Sequence, residues 1–333
     1  MQNNDTVILA VGNTRIDKFI TYQIDNDLYE PENPFSFSCD SLIGIKAGMT
    51  CRIFINNKLE LTGIIDSVAR KMNRSGAFLE ISGRSLASVL TDSCVTNFKG
   101  GMPSTLPAIV DRLLKDVPFI SKKNFIFKSG SDKSRIKKDF LELSPGDTIF
   151  DVLKRAANSQ GFIFYMAPDG SFIVDKPIEI GEPSFTIHDS QNDFKYIEGS
   201  VEEDISNAHS EVIVMGECQT ADGDYKVVKA RAQNPDYHYR KPLVVSWNEA
   251  DGPAKKVAEM KIIEEKASSM TLQYNMNGHQ QNGKNWMINK FCTVIDRYNG
   301  VEKASFLITR RSFSLTRTEG KKTDLTLERG GRI

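Results

Sequence analysis

Strict alternation of apolar and polar residues is the main pattern in the first hundred positions. The segment FSFSC (35–39) alternates throughout, and CRIFI (51–55) leads into an Asn-Asn turn, after which the alternation resumes. A period of two predicts β-strands, and short Asn-containing turns predict hairpins between them. We therefore expect residues 1–97 to form an antiparallel β-roll or small barrel, which residues 185–200 could complete.

A helical period replaces this alternation in the middle of the chain. Apolar residues spaced i, i+3, i+4 and i+7 run through 106–117, and a second stripe begins at Asp147, a natural N-cap, and ends before Gly161. The turn APDGS then separates two short apolar runs within 162–175, which is typical of a β-hairpin. Residues 98–184 are therefore predicted to form a compact α+β domain.

Strand patterns return after residue 185. One helix interrupts them, with Asp251 as its cap and Pro253 in its first turn, and the Asn- and Gly-rich segment 273–285 is predicted to be a loop. Residues 185–333 are thus expected to form a β-rich domain with a second barrel and one helix. Its predicted strands are 211–215, 225–232, 243–247, 291–295, 304–310 and 324–328.

Two segments of the chain resemble each other. The segments 51–85 and 292–330 each contain a short strand, an Asn-containing turn, a long strand with an apolar pair, a polar turn and an alternating strand. This repeat favours two copies of one small β-roll around the α+β insert. The predicted fold class is therefore β-rich α+β, with two small β-barrel or β-roll domains flanking an α+β domain. Three such chains would present six similar units in a ring.

Composition and charge exclude two classes of protein. The 333 residues are 40% hydrophobic and 26% charged, and 43 basic residues balance 43 acidic ones. This balance is that of a globular protein, and it excludes a wholly disordered chain and a globally basic nucleic-acid coat. The charges are segregated, however, which suits either packing between identical subunits or ordinary solvated loops. The acidic segments are 25–40 and 189–204, and the basic segments are 121–138 and 310–332.

No motif for catalysis or cofactor binding is found. The five cysteines lack C-x-x-C spacing, the four histidines lack H-E-x-x-H spacing, and neither G-x-S-x-G nor a Walker A loop occurs. We expect no catalytic residue, metal or cofactor, and we interpret Cys39, Cys51 and Cys292 as small buried hydrophobes. The carboxylates 202–204, with Asp222 and Asp224, are typical of solvated or interface charges, although they also suit metal or glycoside chemistry. Neither a signal peptide nor a membrane anchor is expected, which favours synthesis in a reducing cytoplasm.

The order of these features resembles the baseplate hub tail proteins of contractile-tailed, Mu-like phages, the phage late control D or baseplate hub family. The stretch GMTCRIFINNKLELTGIIDSVARK followed by ISGRSLASVLTD is similar to the family's hairpin and its strand-to-helix corner. GDTIFDVLKRAANSQGFIFYMAPDGSFIV is similar to its second domain, and FLITRRSFSLTRTEGKKTDLTLER to its closing hairpin. Ser85 departs from the family, which often has Asp there. The matching motif residues are Gly48, Gly63, Asp66, Gly83, Arg84, Leu90 and Asp92.

The resemblance implies a structural, non-enzymatic role. Such hubs are ring-shaped homotrimers in the virion baseplate, where they join a three-fold spike to the six-fold tail tube. Tape-measure protein and DNA pass through their channel. On this resemblance, Gly83 would let the chain turn out of its strand. Arg84 would pair with Asp92 or with Asp66 of a neighbouring subunit, unless it only caps carbonyls or is solvated.

Two alternative functions follow from the charged segments. A tail-associated cell-wall hydrolase would use the carboxylates 202–204, and a nucleic-acid or polysaccharide-binding module would use the basic segment 121–138, in which Phe125 and Phe127 are interleaved. The hub hypothesis instead places these charges at subunit contacts. The candidate interface residues are Lys122, Lys123, Arg135, Lys137, Lys138, Glu202, Glu203 and Asp204.

Overall fold

A computed structural model of the chain describes residues 5–40, 44–73, 76–136, 141–190, 195–219, 225–246 and 254–332. Its helices are α1 (Ser88–Asp92), α2 (Leu106–Leu113), α3 (Ile149–Ser159) and α4 (Ala254–Ser268). The strands of the first part are β1 (Val7–Val11), β2 (Thr14–Ile16), β3 (Thr21–Asp27), β4 (Phe35–Cys39), β5 (Thr50–Ile55), β6 (Lys58–Asn73), β7 (Gly76–Ser85), β8 (Phe125–Phe127), β9 (Ile163–Met166) and β10 (Phe172–Asp175). Those of the second part are β11 (Pro183–His188), β12 (Glu198–Glu203), β13 (Glu211–Gln219), β14 (Tyr225–Gln233), β15 (Pro242–Ser246), β16 (Met270–Asn277), β17 (Gln280–Gln281), β18 (Lys284–Asn285), β19 (Lys290–Asp296), β20 (Val301–Thr316) and β21 (Gly320–Glu328).

Two six-stranded units with the same strand order make up most of the largest sheet. The first unit runs β1-β5-β6-β7-β4-β3, and the second runs β11-β19-β20-β21-β16-β12. Matching strands follow the same order along the chain. The long strands β6 and β20 both span 16 residues, and both shift register after an isoleucine, Ile65 and Ile308. The strand pairs thus confirm the predicted repeat, with one difference: β1 is antiparallel to β5, whereas β11 is parallel to β19.

The two units share one thirteen-stranded sheet. Residues 310–315 of β20 pair with residues 22–27 of β3, so that hydrogen bonds cross the expected domain boundary. The path of the described strands runs from β12 to β2, and no closed barrel is found among them. The segment expected to complete the N-terminal unit belongs elsewhere, because β11 pairs with β19 and β12 pairs with β16.

The residues between the two units in the sequence form a separate hydrophobic core. It contains α2, α3 and the three-stranded sheet β8-β10-β9, whose β9–β10 hairpin confirms the predicted turn. The N-cap of α3 is Thr148, whose hydroxyl accepts the Asp151 N–H at 3.1 Å, and not the predicted Asp147. Asp147 instead accepts the Ser144 N–H at 2.9 Å. Gly161 follows the helix in the left-handed conformation, as predicted.

A second insertion separates β12 from β16. It contains the three-stranded sheet β14-β13-β15, and α4 covers one face of this sheet through a small apolar core. The one predicted helix of the C-terminal part is thus present, although its predicted cap, Asp251, and Pro253 lie outside the described residues.

The prediction of a loop over 273–285 is wrong. Strand β16 occupies its first part and pairs with both β12 and β21, and β17 and β18 form a short hairpin. Met270, Leu272, Tyr274 and Met276 alternate as buried residues along β16. The Asn and Gln residues between them face outward. Because Asn is typical of turns, these residues suggested a loop although the buried residues follow the period of a strand.

Candidate assembly site

Arg84 lies near the end of β7, at the corner between this strand and α1. Its Nη1 and Nη2 donate to the two Asp92 carboxylate oxygens at 3.1 and 2.7 Å, and its Nε donates to Asp66 at 2.8 Å. Nη1 also donates to Glu32 at 3.2 Å. Hydrogen bonding to Asp92 raises the pKa of Arg84, and the same contact lowers the pKa of Asp92. The Asp66 that pairs with Arg84 belongs to the same chain, whereas the sequence suggested a neighbour's.

Gly63 and Gly83 lie where β6 and β7 approach each other closely. A Cβ at Gly83 would overlap the Ile64 carbonyl oxygen and lie 2.5 Å from Cζ of Phe35. A Cβ at Gly63 would overlap the Arg84 carbonyl oxygen. Gly83 is an internal residue of β7, so its role is close backbone approach, and the predicted sharp turn does not occur there.

The remaining motif residues, together with Ser85, lie around this β7–α1 corner. Gly48 adopts a left-handed φ of 85° in the turn before β5, and its N–H donates to the Ile65 carbonyl at 2.8 Å. Leu90 of α1 is fully buried in the core shared with α2 and α3. Ser85 is also buried; its hydroxyl donates to the Pro31 carbonyl at 2.8 Å. A hydroxyl at this position thus ties the corner to the loop before β4.

The basic candidates for subunit contacts lie on the inserted α+β core. Lys122 and Lys123 form a short 3-10 turn before β8, and both are exposed. Arg135 is exposed as well, beside the start of α2. Lys137 and Lys138 lie outside the described residues. The assignment of these cations to an interface stays a prediction.

The acidic candidates lie at one end of the large sheet. Glu202 and Glu203 end β12, Asp204 follows, and all three are exposed. Glu203 lies 3.9 Å from Arg329 of the same chain. Asp204 accepts the Ser206 N–H at 2.7 Å, and hydrogen bonding to Ser206 lowers the pKa of Asp204. No strand in the described part of the chain pairs with the outer edge of β12.

The other two charged segments face each other within one chain. Arg310 lies opposite Asp27 across β20 and β3, and the Ser312 hydroxyl donates to Asp25. Arg311 of the same basic segment is buried. The segments 25–40 and 310–332, whose charges suggested contacts between subunits, therefore lie partly beside each other within one chain.

A buried ion pair that the sequence did not reveal joins the two units. Arg311 of β20 donates through Nη1 to Glu60 of β6 at 2.7 Å and to the Trp286 carbonyl at 2.6 Å. Asn285 donates to the other Glu60 oxygen at 2.7 Å. The side chains of Arg311 and Glu60 are 2% and 6% exposed. The strand alternation contained a signal, because Arg311 occupies the same face as the buried Phe313.

His279 extends this polar cluster. The backbone N–H of His279 donates to the Asp5 carboxylate at 2.7 Å. In its ring, Nε2 lies 2.6 Å from the Tyr22 hydroxyl and Nδ1 lies 3.2 Å from the Thr323 hydroxyl. Burial lowers the pKa of His279 to about 4, so the imidazole is neutral at physiological pH. A neutral ring that bonds both units serves as a structural joint between them.

The described residues contain little that suggests catalysis. No group of three or more His, Cys, Asp or Glu side chains among them could hold a metal ion. Cys39, Cys51 and Cys292 are buried as predicted, and burial raises the pKa of the Cys51 thiol to about 12. Asp222 and Asp224 lie outside the described residues. Within the described helices, none has the length and apolar character needed to cross a membrane.

Several solved structures with this fold are tail proteins. The tail protein from Neisseria meningitidis MC58 is 25% identical, with a TM-score of 0.80 over 97% of this chain and 96% of that one. The prophage MuSo2 43 kDa tail protein from Shewanella oneidensis is 19% identical, with a TM-score of 0.79 over 97% and 98% of the two chains. The prophage tail protein gp18 from Listeria monocytogenes EGD-e is 9% identical, with a TM-score of 0.63 over 97% and 94%. A comparison with curated protein sequences finds no match.

Over almost its whole length, the chain is thus similar to tail proteins. The first unit can be assigned more closely. Residues 6–85, from β1 to the end of β7, match the family described as Mu phage baseplate assembly protein GpP-like, N-terminal. The matched range contains the Arg84 corner except for α1 with Asp92, and it confirms the resemblance drawn from the motifs.

Proposed function

We propose that the protein is the hub of a contractile tail baseplate, acting as a homotrimer with a structural, non-catalytic role. The observation that carries this proposal is the duplication of the six-stranded unit within one chain. A six-fold tube needs six equivalent contacts, whereas a spike below it needs three. A trimer of chains with two similar units each offers both symmetries at once.

The proposal includes the neighbours of the hub. Six similar units would face the six-fold tail tube or adjoining baseplate proteins, and the three-fold ring would bind the spike. The central channel of the ring would let tape-measure protein and DNA pass. The buried Arg311–Glu60 pair and the His279 cluster would hold the two units of each subunit together in this ring.

Size and shape in solution test the proposal directly. Light scattering on the purified chain should give three times the 37.3 kDa subunit mass, and negative-stain images should show a ring with a central opening. Co-purification with the spike protein of the same phage should follow. A chain that stays monomeric at micromolar concentration, with or without the spike, would contradict the proposal.

A further inference from the structure

Among the open strand edges of the large sheet, one lies on the second half of β6 in the first unit and one on β12 in the second unit. On β6, pairing with β5 ends at Ile64, so residues 67–73 are bonded to β7 on one side only. Strand β12 is bonded to β16 on one side only. No strand in the described ranges adds to either edge. Open edges of this kind readily accept a strand from another chain.

The chain already contains one filled edge of the same type. Residues 310–315 of β20 extend beyond their pairing with β19, and β3 lies antiparallel along them. In the repeat, β20 matches β6 and β3 matches β12. The β3–β20 contact joins the first unit to the second within a chain. The equivalent contact would join β12, in the second unit of one chain, to β6, in the first unit of another.

The strand registers predict which residues would face each other in this β12–β6 contact. Counting from the register shift after Ile65 and Ile308, Ala69 takes the place of Ser312. Strands β3 and β12 align through their partners β4 and β16, so that Glu202 takes the place of Asp25. Ser312 lies directly opposite Asp25. Ala69 is therefore expected opposite Glu202 of the next subunit.

We propose that residues 67–72 of one subunit pair antiparallel with residues 199–204 of the next subunit, continuing the sheet around a closed ring of three chains. The pairs run from Ser67 with Asp204 to Met72 with Gly199. This inference rests on the proposed trimeric hub and names the surface that closes it. A head-to-tail contact of this kind makes a ring when its rotation closes.

The charges of the two edges support this pairing. Lys71 would lie opposite Ser200, with Glu198 and Glu202 at its two diagonal positions, within reach of a long side chain. Lys71 bonds Glu80 of its own chain at 2.6 Å, and half of its side chain remains exposed. Met72 is 83% exposed in the single chain, a large apolar surface that an added strand would cover. Both edges therefore carry features that a second copy complements.

Disulfide trapping tests the register. A chain carrying Ala69→Cys and Glu202→Cys, with Cys94→Ser and Cys218→Ser to remove competing thiols, should give a covalent trimer on a non-reducing gel after mild oxidation. The control replaces Glu202→Cys by Ser200→Cys. That pair would be diagonal, with Cα atoms about 7–8 Å apart, too far for a disulfide. The control should therefore stay unlinked, although light scattering shows it to be trimeric.

Charge reversal tests the same edge without new cysteines. Lys71→Glu should weaken trimer association about tenfold per interface, because two attractive diagonal contacts become repulsive. Adding Glu198→Lys and Glu202→Lys should restore it. The control Lys303→Glu, on an exposed position of β20, should leave association unchanged. Circular dichroism confirms that each variant is folded.

The outcomes separate this inference from the proposed function. A trimer that traps Ala69 with Glu202, and not with Ser200, supports both. A trimer in which the Ala69–Glu202 pair stays unlinked overturns the strand pairing and leaves the hub proposal standing. A native chain that never trimerises overturns both.

Discussion

Breaking the buried ion pair between the two units should destabilise the protein strongly. In Glu60→Ala, the Arg311 guanidinium keeps its charge in a site where its side chain is 2% exposed, and it loses the carboxylate partner that the described residues provide. Removing one member of a buried pair typically costs about 3–5 kcal/mol. At roughly 2 °C per kcal/mol for a chain of this size, the melting temperature should fall by about 6–10 °C.

Replacing both members should cost far less than replacing one. Arg311 has no hydrogen-bond partner at Nε or Nη2 among the described residues, so its burial is incompletely compensated. An apolar pair, Glu60→Leu with Arg311→Met, should therefore lie within about 1 kcal/mol of the native protein. Urea unfolding of the native, single and double variants measures the coupling. A single variant that costs under about 1 kcal/mol, or a double variant that costs the sum of the singles, would refute the reasoning.

Three further variants test the joint and the corner. The folded-state pKa of His279 is about 4 and its ordinary value is 6.5, so protonation favours the unfolded chain. About 3 kcal/mol of folding stability should therefore be lost as the pH falls from 6.5 to 4. In pH-dependent melting, His279→Gln should lose less stability over this range, and a profile identical to that of the native protein would contradict the assignment. Gly83→Ala should lower the free energy of unfolding in urea by about 1–3 kcal/mol, because the new Cβ would overlap the backbone of strand β6. The control Gly101→Ala has open space around it and should change the stability little. Equal effects of the two substitutions would argue against the close approach. Arg84→Lys should lose about 1 kcal/mol, since an ammonium cannot bond both Asp92 oxygens as a guanidinium does, and unchanged unfolding would count against the bidentate pair.

Local patterns predicted most strands, helices and the repeat. Alternation is set by neighbours two residues apart, so FSFSC and CRIFI revealed β4 and β5 without any knowledge of their partners. The pairing of β3 with β20 could not be predicted in this way, because residues almost three hundred positions apart form it. This pairing links the two predicted domains in one sheet, and no closed barrel is found among the described strands. Strand β16 was missed because its outward Asn and Gln residues resemble a loop.

The candidate site was predicted unevenly for the same physical reason. Arg84, Asp66 and Asp92 lie within one short stretch, and the family resemblance brought them together as a corner. The Arg311–Glu60 pair depends on side chains 251 residues apart, and a charged residue in a strand is usually exposed. Only its position on the buried face of β20 could have indicated a partner inside the protein.

The most direct measurement for the central claim is the mass and shape of the purified protein in solution. Light scattering combined with electron microscopy should show a particle of three chains of 37.3 kDa, ring-shaped, with six similar β-units around a channel. A stable monomer, or an oligomer without three-fold symmetry, would contradict the hub.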